Sequence, residues 1–119
     1  FTARRWSAQY QWRGHYPMAM KAGVSPAVAA DLATGKHPVG MQPDEAAVYD
    51  FLTQLYDRRA VDDATFARAK SVLGERQLVA LMGLAGLYDM VSMMLDVGKV
   101  RLPAGAQPLP PLADKAPLR

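Results

Sequence analysis

The segment Tyr10-Gln11-Trp12-Arg13-Gly14-His15 concentrates the residues of this chain that can do chemistry. Gln11 and His15 are four positions apart, which places them one turn above each other on a helix. Ala8, Trp12, Met18, Ala19 and Ala22 share or border that stripe, so an amide and an imidazole sit on a face that is otherwise small or apolar. A neutral imidazole on such a face is fit to accept a proton, whereas a glutamine can only hold and orient a ligand. The small neighbours would leave room for a guest molecule. His15 is therefore the candidate catalytic group, with Gln11, Trp12, Tyr10 and Tyr88 as candidate substrate-binding residues. The plainer reading is a histidine satisfied within a core, beside tyrosines that only pack. Asp89 is the acid embedded in the longest apolar run. It is a candidate to orient His15 or to donate a proton; the alternative is a carboxylate paired with an arginine or facing water at a subunit edge.

Several chemistries are excluded by composition. There are no cysteines, which removes disulfides, thiolate nucleophiles, zinc–thiolate sites and iron–sulfur clusters. The two histidines, His15 and His37, are too differently placed to share a metal, and no HExxH, His-x-His or acidic cluster is present. No metal is expected. The chain also lacks G-x-S-x-G, a Walker loop and GxGxxG, so no cofactor is expected either. His37 lies between Lys36 and Pro38 in a loop and is assigned no role. The formal net charge is +3. Arg4, Arg5, Arg13 and Lys21 form either a solvated face or a local positive field suited to a carboxylate-bearing substrate. Nucleic acid is not an expected partner, because no basic cluster is interleaved with exposed aromatics.

The elements that must position these residues read as five helical segments and a tail. The first spans about Thr2 to Lys21, with Gly23 as its stop and a kink expected at Pro17, which cannot donate to the carbonyl of Arg13. The second opens on Ser25-Pro26 and stops at Gly35. After a loop, the third begins at Pro43-Asp44-Glu45, with Ala47, Val48, Phe51, Leu52 and Leu55 at helical spacing. The fourth runs from Asp62 or Asp63 to Gly74. The fifth, about Glu75 to Val97, is apolar nearly all round and is expected to be buried within a core or between subunits. Its run from Leu78 to Leu95 approaches membrane-spanning length, but Asp89 within it argues against lipid, and no membrane partner is expected. From Leu102 onward, prolines 103, 108, 110, 111 and 117 preclude helix and leave an extended arm or a disordered tail. The expected organisation is a helical domain over 1–102, lacking an upstream part, and an arm over 103–119.

The stretch Ala3-Arg4-Arg5-Trp6-Ser7-Ala8-Gln9-Tyr10-Gln11-Trp12-Arg13-Gly14-His15 resembles a segment of the carboxymuconolactone decarboxylase-like (alkylhydroperoxidase D-like) family. Ala22-Gly23-Val24-Ser25, Pro43-Asp44-Glu45-Ala46-Ala47-Val48-Tyr49-Asp50-Phe51, Val61-Asp62-Asp63-Ala64-Thr65-Phe66 and Leu73-Gly74-Glu75-Arg76 resemble the same branch. The resemblance covers about Thr2 to Pro103. It implies an all-α helical bundle assembled as a homo-oligomer, a trimer or hexamer, and the lack of cysteines fits the cytoplasm as the expected compartment. It also implies one of two activities, a cofactor-free decarboxylase on a lactone or a thiol peroxidase using Cys-x-x-Cys-x-x-x-His. With His15 as the family histidine, Ala8 and Gln11 occupy the two cysteine positions, so thiol peroxidase chemistry is not expected. Gln11 also stands where the branch usually has Glu in Tyr-Glu-Trp.

Two functional expectations follow. One is a cofactor-independent lyase or isomerase acting on a small carboxylated lactone or related ring compound, with His15 as acid–base group, Gln11 as orienter and Trp12 as a wall. The other is a non-catalytic oligomeric scaffold or small-molecule binding member that keeps the fold and has lost the chemistry.

Overall fold

Stops, caps and one buried arginine divide the chain into six helices. In the computed structural model, which describes residues 1–112, they are α1 (Thr2–Trp6), α2 (Gln9–Lys21), α3 (Pro26–Thr34), α4 (Pro43–Arg58), α5 (Asp63–Leu73) and α6 (Glu75–Val97). No strand occurs among the described residues, as the all-α expectation requires. The chain forms two compact units. One contains Phe1–Gly40 together with the chain from Leu87 onward, and the other is Met41–Gly86, so α6 runs through both.

In the first unit the helix expected over Thr2 to Lys21 is two helices. Pro17 lies inside an uninterrupted α2, and the break falls ten residues earlier. Ser7 takes a left-handed backbone, φ 55°. Its N–H donates to Arg4 O (3.0 Å) and the Ala8 N–H to Ala3 O (2.8 Å). This is the Schellman ending usually reserved for glycine. Its local cause is Arg4, a buried guanidinium that donates to Ser7 Oγ at 2.8 Å, to Ala33 O at 2.9 Å and to Pro110 O at 2.7 Å. Arg4 thereby ties α1 to the carbonyl end of α3, where a cation is favoured, and to the proline-rich arm. Pro17 is tolerated because it and Arg13 are exposed, leaving the undonated carbonyl open to water.

The arm is ordered against this unit as far as Leu112. Leu109 is buried, and its N–H donates to Gln9 Oε1 at 2.6 Å. Gly35 ends α3 with φ +74°, and a Cβ there would overlap Leu112 Cδ2. Gly35 is thus required twice, for its backbone and for the passage of the arm. Residues 113–119 lie outside the described part, and with them the end of the expected tail.

The second unit is built on the α4–α5 hairpin. Glu45 Oε2 accepts from the Gln42 N–H at 2.9 Å at the start of α4. Asp62 caps α5 by accepting from the Thr65 N–H at 2.8 Å. Gln54 of α4 closes the turn: its Nε2 donates to Asp62 Oδ2 at 2.8 Å and its Oε1 accepts from the Asp62 N–H at 2.9 Å. Arg68 pairs with Asp50 across the two helices. Phe51, Leu52, Ala47 and Ala69 are buried.

α6 does not fulfil the expectation of burial within its own chain. Met94 is 66% and Val97 84% exposed, and Val79, Met82, Leu84, Leu87, Met90 and Met93 are also exposed. By length and composition the helix is apolar enough to cross a membrane. It is not featureless, however. Tyr88, Ser92 and Asp96 recur every fourth residue with Asp89 beside them, forming a narrow polar stripe along its C-terminal half.

Candidate functional site

The candidate site lies within the first unit, between α2 and the part of α6 from Leu87 onward. Gln11 and His15 lie one turn apart on α2, and Tyr88 and Ser92 one turn apart on α6. They meet as two rungs in reversed order, an antiparallel arrangement. Ser92 Oγ donates to Gln11 Oε1 at 2.5 Å, and His15 Nε2 lies 2.9 Å from Tyr88 Oη. The first rung is dry: Ser92 is fully buried and Gln11 nearly so. The second is partly buried, and the two rings meet edge-on with centroids 4.8 Å apart.

His15 has a defined tautomer. Its Nδ1 lies 2.9 Å from the backbone carbonyl of Gln11. A carbonyl oxygen can only accept, so Nδ1 carries the hydrogen. In the neutral ring Nε2 is then an acceptor, and the Tyr88 hydroxyl donates to it. The group that orients His15 is thus the main chain one turn back. Asp89 instead accepts from Trp6 Nε1 at 2.6 Å, tying α1 to α6.

The remaining sequence candidates are less closely gathered. Trp12 borders the His15 stripe and stacks obliquely on Tyr16, with centroids 6.0 Å apart. Tyr10 is 47% exposed and sits about 140° around α2 from His15 at 100° per residue. His37 is exposed in the loop after α3. No cluster of three potential metal ligands occurs among the described residues.

One participant, Ser92, and one buried structural residue, Arg4, are not announced by the sequence. Ser92 was overlooked inside an apolar run, although its position four residues after Tyr88 was a usable signal. Arg4, outside this pair of rungs, belongs by sequence to either a solvated face or a local positive field. Nothing in its spacing announces that it is 4% exposed and bonded to main-chain carbonyls.

This geometry supports one kind of chemistry directly. An imidazole with its Nδ1–H anchored and its lone pair on a phenol is a proton-exchanging pair that needs no metal ligand and no thiol. No family model matches this chain, and neither a curated protein nor a solved structure matches it.

Proposed function

We propose that the protein is a cofactor-independent lyase or isomerase of the carboxymuconolactone decarboxylase-like kind, acting on a small carboxylated lactone or related ring compound. The observation that carries this reading is the fixed tautomer of His15, with Nδ1 on the Gln11 carbonyl and Nε2 on the Tyr88 hydroxyl. Loss of a carboxylate as carbon dioxide, or migration of a double bond, leaves an electron pair that must be delocalised and then protonated. A positioned imidazole–phenol pair suits that task. Trp12 and Tyr10 are the aromatic residues assigned to binding the ring.

The functional form is a cytoplasmic homo-oligomer, a trimer or hexamer, in which copies cover the apolar flank of α6. Soluble monomers rarely expose so continuous an apolar surface. The carboxylates Asp89 and Asp96 within the same helix favour a protein partner over lipid, because an acid is costly in a bilayer.

A second reading has its own support. Gln11, the position where the family branch usually has an acid, spends its side-chain oxygen on Ser92. A fold that has turned its acid–base residue into a structural bond fits a binding or scaffold member. A panel of carboxylated lactones, followed by ultraviolet absorbance and carbon dioxide release, separates the two. Turnover that is lost in His15→Gln, with the variant still folded by circular dichroism, supports the lyase. Saturable lactone binding without turnover supports the scaffold.

A further inference from the structure

Resting on the lyase reading, we propose that the Tyr88 hydroxyl is the catalytic group that meets the substrate, and that His15 exchanges protons with substrate only through it. Both ring nitrogens of His15 are already engaged, Nδ1 by the Gln11 carbonyl and Nε2 by Tyr88 Oη. An imidazole so held has no lone pair or N–H left to direct at a third molecule. The phenol does, because the oxygen of a hydroxyl donates once and accepts twice.

The polarity of this one bond depends on where the proton resides. With His15 neutral, Tyr88 donates its hydrogen to Nε2 and offers only lone pairs outward. With His15 protonated, Nε2–H donates to Tyr88 Oη, and the phenolic hydrogen turns outward to a substrate oxygen or carbon. In the decarboxylation, the bond from the ring carbon to the carboxylate breaks, carbon dioxide leaves, and the electron pair passes into the conjugated system. Tyr88 gives its proton to that system, and Nε2–H of the imidazolium restores the phenol. The neutral imidazole then regains a proton from solvent by relay through the half-buried Tyr88 hydroxyl, whose hydrogen passes to Nε2 as the phenol takes another from water. One proton is consumed per carbon dioxide released, so atoms and charge balance.

The pair is held at its distance by the Gln11–Ser92 rung one turn away. Ser92 is therefore a positioning residue. Its loss should slow the proton step while leaving substrate affinity nearly unchanged.

The test uses the full chain. Nitrogen-15 NMR of uniformly labelled protein, recorded with His15 neutral, should show a protonated Nδ1 and an unprotonated Nε2 whose shift moves in Tyr88→Phe. In the lactone panel, Tyr88→Phe should lower kcat by at least a hundredfold with KM changed less than threefold. Ser92→Ala should lower kcat about tenfold with KM likewise held. A protonated Nε2 in the neutral ring overturns the proposal. So does Tyr88→Phe with undiminished kcat while His15→Gln is inactive, an outcome that leaves the lyase reading intact. Absence of turnover in the unmodified protein overturns both together, whatever the spectra show.

Discussion

At the scale of single residues, Gln11 and His15 were legible because the four-residue spacing is a property of the helix alone. Tyr88 was legible as a candidate but its pairing with His15 was not, and Ser92 was not legible at all, since both lie more than seventy positions away from α2's pair. The Gln11–Ser92 bond makes an asymmetric prediction. Ser92→Ala strands a buried amide oxygen and should destabilise the protein by about 1–3 kcal/mol. Gln11→Leu in the Ser92→Ala background removes the stranded group and should recover most of that loss. Urea unfolding of the two single variants and the double variant checks this. Simple additivity of the single losses would show that the bond contributes nothing. Arg4 shows the opposite limit of sequence reading: a cation counted as solvated is a buried clamp, because three main-chain and hydroxyl oxygens happen to converge on it.

At the scale of elements, helix boundaries followed from caps and stops wherever the cap was local. Ser25-Pro26, Asp62 and Gly35 all act as their residue types suggest. The expected kink at Pro17 gave way to the break at Ser7, where Arg4, anchored by the distant Ala33 and Pro110 carbonyls, donates to the hydroxyl of the left-handed serine. Two predictions belong here. Gly35→Ala forces a Cβ into a left-handed position and against Leu112, at a cost of about 1–2 kcal/mol. Its thermal midpoint should fall by roughly 5–10 °C, since each kcal/mol corresponds to several degrees in a domain of this size. Limited proteolysis should also cut the arm sooner than in the parent chain.

The second concerns pH. The Thr65 N–H, and after it the Gln54 and Thr65 side chains, hold the Asp62 carboxyl below its ordinary value of 3.8. A carboxylate with a depressed folded value adds stability that is present above the unfolded value and is lost as pH falls through the folded one. Asp62→Ala should therefore be less stable than the parent at pH 7, and the gap should narrow below about pH 4. Urea midpoints at pH 7 and pH 3 read it directly; an equal gap at both would remove Asp62 as the source.

At the scale of the whole molecule, the apolar flank of α6 sets the expectations for behaviour in solution. Light scattering after size-exclusion chromatography should find an oligomer at micromolar concentration. Met90→Arg and Met94→Glu, which place charges among exposed apolar side chains, should shift it toward monomer with little loss of helix. A monomeric parent protein that floats with lipid vesicles would instead identify a membrane as the cover for α6. The apolar character of this helix was plain in the sequence, but what covers it was not, because hydrophobic surface is non-directional and does not name its partner.

What the sequence determined by itself was whatever depends on composition and near neighbours: an all-helical chain, most caps and stops, the lack of cysteine thiols, and one face carrying an amide and an imidazole. Tertiary structure decided which nitrogen of His15 bears its hydrogen, that Gln11 answers to Ser92, that Arg4 is buried and that the arm lies down as far as Leu112. The physical reason is range. Helix propensity and capping act over about four residues, whereas a hydrogen bond between helices exists only once the chain has folded back and brought remote side chains within 3 Å.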